Sequence, residues 1–278
     1  MTAGDARVYV GKHDQREAMV CNGADDYAEV DAFTVAQVAA NDTLGTFTAW
    51  VNLDDYEDGD YVIFSSGDAN VVEYISFGIQ EGAIIAKCVV ATVTQWEVIS
   101  EDDTLTGNGG WHHIAVVQNG TRPIFYHNGE AVEMTDTTAT DLTAWYDQLT
   151  GGDVGAIGLL NMNATQTLDT KGGISDVKYF DTDLTATKIV AEYNGNGITS
   201  ATTSSGSPTN LVAHWVAGTT GYSDDINDYE GTYENTAYYD SQYSELTKQA
   251  SLMYGASTDF YSLSFADGQF ALLHVLGA

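Results

Sequence analysis

Oxygen ligands for a hard cation are the densest chemistry in this chain. The stretch Asp54-Asp55-Tyr56-Glu57-Asp58-Gly59-Asp60 gathers Asp54, Asp55, Asp58 and Asp60 into one turn, and calcium is held by such carboxylates. The spacing is not that of an EF-hand loop, and a solvated hairpin tip would use the same residues. Asp25 and Asp26 form a smaller calcium candidate, with a structural corner as the alternative. His112-His113 raises transition metals, but successive strand side chains leave opposite faces of a sheet, so the two cannot close on one ion. No Gly-x-Ser-x-Gly elbow, His-Glu-x-x-His helix, phosphate-binding Gly-x-x-x-x-Gly-Lys loop or Cys-x-x-Cys pair occurs. A tyrosine-rich tract, Tyr222, Tyr229, Tyr233, Tyr238, Tyr239 and Tyr243, is interleaved with Asp224, Asp228, Asn235 and Asp240. Its rings could stack on pyranose faces while the polar groups bond hydroxyls. They would serve a protein–protein interface equally well, since tyrosine gives contact area at low entropic cost.

These residues can act only where strands and turns hold them. The clearest strands lie around two Asn-Gly pairs, Asn119-Gly120 and Asn128-Gly129, which supply the positive φ values of tight hairpins. His113-Ile114-Ala115-Val116-Val117 and Ile124-Phe125-Tyr126 suit a pleated surface and not a helix. In Gly45–Leu53, Phe47, Ala49, Val51 and Leu53 alternate onto one face. Further strands are expected over 61–65, 71–79, 83–90, 93–99, 154–160 and 173–180, at the spacing of an all-β sandwich.

The order Trp-His-His-apolar-Ala-apolar, then apolar-Tyr-x-Asn-Gly, over Trp111–Gly129 resembles the hairpin signature of laminin-G-like, concanavalin A-like lectin-glucanase domains (the LamG/pentraxin type). Ala18–Val30 resembles that family's opening corner, with Cys21 where an aromatic is usual, and Phe47–Val51 resembles its strand ending in Trp-Val. Asp183–Gly195 resembles its closing helix, with Asp183 or Thr185 as the cap and Asn194-Gly195 as the stop. The resemblance covers residues 18–195. It implies an antiparallel two-sheet β-sandwich of the jelly-roll, concanavalin A-like type, with Phe47, Trp50, Trp111, His113 and Phe125 as structural core. Trp50 and Trp111 are expected inside the sheet-on-sheet interior. Several relatives hold calcium at the sandwich rim. Glucanase relatives carry a Glu-x-Asp-x-(x)-Glu strand whose alternate carboxylates act as nucleophile and acid. The nearest string here is Glu29-Val30-Asp31, with Phe33 in place of the third acid. No catalytic residue is therefore expected, and the chain reads as a non-enzyme.

Residues 1–197 form the expected sandwich and 198–210, rich in Thr, Ser and Gly, a linker. Residues 211–278 are a C-terminal extension expected to pack on the sandwich or on a neighbouring subunit. Leu211–Trp215 resembles a family strand, and Ser244–Tyr254 has a helical apolar face. Cys21 and Cys88 are expected as buried free thiols, since two cysteines do not make a disulfide framework.

Charge excludes whole classes of partner. Forty acidic against nine basic residues give a net charge of −31, which leaves no basic patch for nucleic acid or an anionic membrane surface. No apolar run reaches membrane-spanning length, and Met1–Ala6 lacks the basic start and apolar core of a signal peptide. A binding fold without an export signal, plus the apolar run Phe270–Leu276, leads to one expectation: a structural or adhesion module on a virion surface. This would be a capsid spike, decoration or tail-fibre subunit of a virus from a saline habitat, homo-oligomeric, touching other virion proteins and host-surface glycans. The alternative is a secreted or cell-surface lectin or carbohydrate-binding domain, or a glycoside hydrolase.

So many like charges repel one another in dilute buffer, whereas at about 1 M salt the screening length falls to about 3 Å. The melting temperature is therefore expected to rise between millimolar and molar NaCl. Calorimetry across that range checks this, and a flat profile would exclude a salt-adapted surface.

Overall fold

A computed structural model describes residues 16–57, 59–101, 104–105, 110–195, 210–224, 226–235 and 237–243. The first strands are β1 (Arg16–Asn22), β2 (Tyr27–Glu29), β3 (Gly45–Leu53), β4 (Asp60–Gly67), β5 (Tyr74–Gln80), β6 (Ala83–Val90) and β7 (Val93–Ser100). They are followed by β8 (His112–Gln118), β9 (Pro123–His127), β10 (Glu130–Ala131), β11 (Met134–Ala139), β12 (Val154–Ile157), β13 (Leu160–Met162) and β14 (Thr165–Thr167). The last are β15 (Lys171–Phe180), β16 (Leu211–Gly218), β17 (Gly221–Asp224), β18 (Gly231–Glu234) and β19 (Tyr238–Tyr243), with helices α1 (Asp31–Ala40) and α2 (Ala186–Tyr193).

The strands pair antiparallel in two layers. In the front layer β3 lies between β8 and β15, β8 continues to β9, and β15 takes β1 along one half and β16 along the other. The back layer runs β2, β12, β4, β5, β6, β7, β11. A chain of pairings from β16 through β17 and β18 to β2 joins the layers along one side. Period-2 alternation aims Phe47, Val51, Ile114, Val116 and Phe125 at Ile75, Phe77, Ile84, Ala86, Trp96 and Val98, all buried in one core.

Trp50 and Trp111 are buried elsewhere, which corrects the expectation for them. They pack with Ala18 and Val20 on the other side of the front layer, against Tyr193 of α2. Alternation requires this: with Phe47, Ala49 and Val51 facing inward, Trp50 must face outward. The same outer side carries Ala115, Val117, Tyr126 and Phe180 packed with Leu184 and Ile189 beneath α2. At its margin β15 bulges at Asp176, whose φ is +51°. Buried Lys178 there donates to Glu192 of α2 at 2.9 Å, and His214 Nε2 of β16 donates to Asp176 Oδ1 at 2.6 Å. One ion-paired seam thus fastens α2 and β16 to β15. Despite its burial, the Asp176 carboxyl lies far below the usual carboxylate range, held there by Lys178, His214 and Arg16.

α1 and β11 add to the elements expected from the sequence. α1 carries Phe33 into the interior, where its ring lies edge-on to Phe64, Tyr179 and Trp215 at 5.6, 5.1 and 4.9 Å. Asn128-Gly129 forms the expected two-residue turn, with φ +50° and +85°. Asn119-Gly120 instead belongs to a longer loop between Gln118 and Pro123, in which Asn119 Oδ1 accepts the N–H groups of Thr121 and Arg122. The single strand expected over 154–160 breaks at Gly158, φ +111°. Cys21 and Cys88 are buried and unbridged, and burial pushes both thiols far up.

Beyond residue 209, Leu211–Trp215 pairs with β15, and Asp224 is buried at the end of β17. Its carboxylate accepts the N–H groups of His214, Ile226, Asn227 and Tyr229 at 2.9–3.1 Å and so shapes the following loop. β19 pairs with β1. Most of the expected linker, the expected helix Ser244–Tyr254 and the run Phe270–Leu276 lie outside the described residues.

Truncating Phe33 removes a ring that touches both layers. Phe33→Ala is expected to lower the unfolding free energy by about 3–5 kcal/mol, read from urea denaturation. A loss below about 1 kcal/mol would mean that the aromatic cluster collapses to fill the void.

Candidate functional site

Apart from Asp25, the described members of the expected calcium set each have a local partner. Asp54 lies 3.8 Å from Lys171 Nζ, Asp55 accepts the Glu57 N–H at 3.0 Å, and Asp60 lies 3.5 Å from the Gln80 amide. Asp58 lies outside the described residues. Asp26 is buried and accepts the Asn22 N–H at 2.9 Å, bracing the turn at Gly23 (φ +81°), while Asp25 points outward. Among the described residues, no three His, Cys, Asp or Glu side chains are grouped as metal ligands.

His112 and His113 leave opposite faces. His113 is buried against Trp50, with ring centroids 5.3 Å apart, and desolvation drives its pKa down to about 3, so it stays neutral. His112 Nδ1 lies 2.8 Å from His127 Nε2, which also lies 3.1 Å from the Asn128 Nδ2 donor. His127 Nε2 therefore accepts, and His112 Nδ1 donates. Glu29 is exposed at the end of β2, whereas Asp31 opens α1 and accepts the Gly155 N–H at 2.7 Å. Burial and then the neighbouring Asp31 charge push the Glu29 carboxyl up.

The tyrosine tract divides. Tyr222 cannot meet a ligand: it is fully buried, and its hydroxyl donates to the Ile174 carbonyl at 2.8 Å. Tyr229 packs on Phe33, Tyr233 on Tyr222, and Tyr239 against the main core. Tyr238 is 54% exposed. Tyr243 pairs through its backbone with Arg16.

Among the described residues, the outer side of β6, β7 and β11 is left partly exposed. Along β6 and β7, Ile84, Ala86, Cys88, Trp96 and Val98 are buried, while Ile85, Lys87, Gln95, Glu97 and Ile99 are half-exposed. This is the alternation of a sheet with one dry and one wet side. Cross-strand register sets Ile85 opposite Ile99, and in the next row Ser76 opposite Lys87 opposite Glu97. Lys87 Nζ lies 2.7 Å from Glu97 Oε2, and Thr137 Oγ1 of β11 donates to Glu97 Oε1 at 2.7 Å. Tyr74 borders this row. One end of the face is walled by Leu160 and Met162 of β13, which pack on Val62, Tyr74 and Val89.

The β6–β7 turn fixes these side chains. Ala91 and Thr92 occupy positive φ, +44° and +71°, a conformation usually left to Asn-Gly. The turn is held because buried Glu73 accepts the Ala91 N–H at 3.2 Å and the Val72 carbonyl accepts the Thr92 N–H at 2.8 Å. Glu73 also accepts the Thr150 and Gly151 N–H groups, which ties the turn to the neighbouring loop. The electrostatics of the row are self-contained. Burial alone would lower the Lys87 pKa, but Glu97 and Tyr74 raise it overall. Burial likewise opposes ionisation of Glu97, yet Lys87 and Thr137 bring its carboxyl below the ordinary range. The result is a small apolar strip beside a fixed set of hydrogen-bonding groups, suited to a ligand with CH faces and hydroxyl edges. The signal for it was present in the alternation of β6 and β7, where Lys87 and Glu97 stand opposite across a tight turn.

Residues 22–190 match the family model Laminin_G_3, the Concanavalin A-like lectin/glucanases superfamily. No curated protein matches the sequence. Among solved structures, the CBM40 of Ruminococcus gnavus IT-sialidase is similar at a TM-score of 0.54 and 14% identity, covering 66% of this chain and 100% of that one. The same CBM40 bound to alpha2,3 sialyllactose gives a TM-score of 0.53 at 12% identity, covering 66% and 100%. The leech intramolecular trans-sialidase gives 0.53 at 14% identity, covering 74% of this chain and 29% of that one. At these identities the likeness is one of fold.

The Lys87–Glu97 pair makes a titration test. Glu97 is expected to titrate below the ordinary glutamate range, and Lys87→Met to move its midpoint upward, as read by carboxyl NMR. Because its folded pKa is depressed, the stability Glu97 contributes is present above about pH 4.3 and lost as pH falls through the folded value. An unmoved midpoint in Lys87→Met would show that the lysine does not hold the carboxylate.

Proposed function

The chain belongs to the Concanavalin A-like lectin/glucanases superfamily, and from that premise we propose that it is a non-enzymatic glycan-binding module whose contact surface is the open side of β6, β7 and β11. The observation that carries this reading is the row Ser76, Lys87, Glu97 and Thr137 beside the Ile85–Ile99 strip. A pyranose offers an apolar CH face and a rim of hydroxyls. The two isoleucines meet the first, and a carboxylate, an ammonium and a hydroxyl held in fixed geometry meet the second. Likeness of fold to a CBM40 described with bound sialyllactose supports the choice of ligand class. A hydrolase would need two carboxylates across a cleft. On this face Glu97 has Lys87 and Thr137 as partners and not a second acid.

A second reading concerns context: the module is an adhesion subunit on a virion from a saline habitat, assembled as a homo-oligomer. The net charge of −31 and the apolar run Phe270–Leu276 favour it. One set of samples tests both readings. On a glycan array and by calorimetry, a defined oligosaccharide is expected to bind, with Lys87→Ala/Thr137→Ala weakening it about tenfold or more, a loss of about 1.4 kcal/mol. The melting temperature should barely move, because half-exposed pairs contribute little to stability. Tyr238→Ala should bind as the parent does. Light scattering is expected to give an oligomer that becomes a monomer when the run Phe270–Leu276 is deleted. Unaltered binding in the double variant would remove this face from the function, and a monomeric full chain would remove the assembly reading.

A further inference from the structure

We infer that the open face of β6, β7 and β11 selects uncharged glycans and rejects the same glycans once they carry a carboxylate or sulfate. This rests on the carbohydrate-binding reading and goes beyond it to the substrate class.

Among the described residues, Lys87 is the cation that projects from this face, and its ammonium is already engaged by Glu97 at 2.7 Å. The far oxygen of that carboxylate is taken by Thr137, so the pair forms a closed unit with no unspent positive charge. Arg122, at the margin of β11, is likewise closed by Asp136 at 2.6 Å. An anionic sugar approaching Lys87 meets the Glu97 carboxylate beside the ammonium, so the lysine's charge is already compensated where the newcomer's anion would sit.

The ends of the strands add to this. Asp60 begins β4, Glu81 lies in the β5–β6 turn, Glu101 follows β7 and Glu133 precedes β11, and all four are exposed. Antiparallel pairing brings these positions to the same end of the back layer. Asp60 is in register with Gln80, next to Glu81, and the Glu101 N–H donates to the Glu133 carbonyl. The Ile85–Ile99 strip opens at that end, so a ligand seated on it lies within about one 8 Å screening length of several like charges at about 0.15 M salt. Like-charge juxtaposition is the ordinary device by which a surface refuses a partner. A neutral sugar meets no such cost, because its contacts are CH groups on isoleucine and hydroxyls on a charge-compensated pair.

The test uses the full chain on a panel that pairs neutral oligosaccharides with the same oligosaccharides bearing terminal sialic acid or sulfate, at about 0.15 M and about 1 M NaCl. The expected result is binding of the neutral members, with their acidic counterparts weaker by about tenfold or more at the lower salt. That gap should narrow at the higher salt, where screening removes the repulsion. Glu97→Gln, which frees the ammonium, should narrow it at low salt as well. Acidic members that bind as tightly as, or more tightly than, their neutral partners at about 0.15 M would overturn the inference and leave glycan binding standing. A panel on which neither member of any pair binds would overturn the carbohydrate reading itself, and the inference with it.

Discussion

The Phe33 ring is the point on which the rest of the structure turns. It reaches the interior from a helix, and the rings against it come from separate parts of the chain: Phe47 from β3, Phe64 from β4, Tyr179 from β15, Trp215 from β16 and Tyr229 from the loop beyond β17. Each edge-on pair contributes about 0.5–1.5 kcal/mol beyond the area it buries. Their larger effect is geometric, because one ring fixes the spacing of both layers and the approach of the C-terminal strands. Trp215 is held on its other edge by its indole N–H, which donates to the Tyr229 carbonyl at 2.6 Å. The strands after residue 209 are thereby locked into the same aromatic cluster as the first helix.

Once the layers are set, their outer sides diverge. The front layer is sealed by α2, with Trp50 stacked on Tyr193 and Lys178 buried between Asp176 and Glu192. Removing one member of such a buried set would strand a charge and cost several kcal/mol, so this side is committed to holding the fold. Among the described residues, the back layer carries no helix over β6 and β7, and the Lys87–Glu97 pair on it is half-exposed, where pairs contribute little to stability. A well-ordered polar row that the fold does not need is the kind of feature a ligand explains.

Much of this was legible in the residues. Alternation in Gly45–Leu53 and in His112–Gln118 gave the strands, and Asn128-Gly129 gave its turn, because period and positive φ are local properties. Trp50 shows where family likeness misled: it placed the ring inside, although Phe47 and Val51 had already turned it outward. α1 escaped because Asp31–Ala40 lacks a side-chain cap, its N-cap being Val30, and because its burial is set by rings distant in sequence. Asn119-Gly120 failed as a tight turn because Pro123 and the Asn119 side chain favour a wider loop. The tyrosine tract was read from composition alone, and composition does not say which rings the two layers will enclose. The row through Lys87 and Glu97 needed register, which depends on the strained Ala91-Thr92 turn and on Glu73 beneath it.

The charge of the chain and the character of the face belong together. A surface with forty acids can bind an anion only by concentrating cations, and of the six described Lys and Arg residues all but Lys188, exposed on α2, already lie against an acid or a ring. Arg16 lies over the Trp50 ring, Lys171 lies near Asp54, and Lys178 sits in its buried seam. Recognition by separated charges would also vary steeply with ionic strength, since exposed interactions fade beyond the screening length. Recognition by a compensated pair, a hydroxyl and an apolar strip does not. Salt that relieves the repulsion among the carboxylates leaves such contacts in place, and it strengthens the apolar ones where the ions are excluded from the surface. The contacts that the proposed reading assigns to Lys87, Glu97 and Thr137 are therefore ones that persist on a very acidic protein while the ionic strength around it changes.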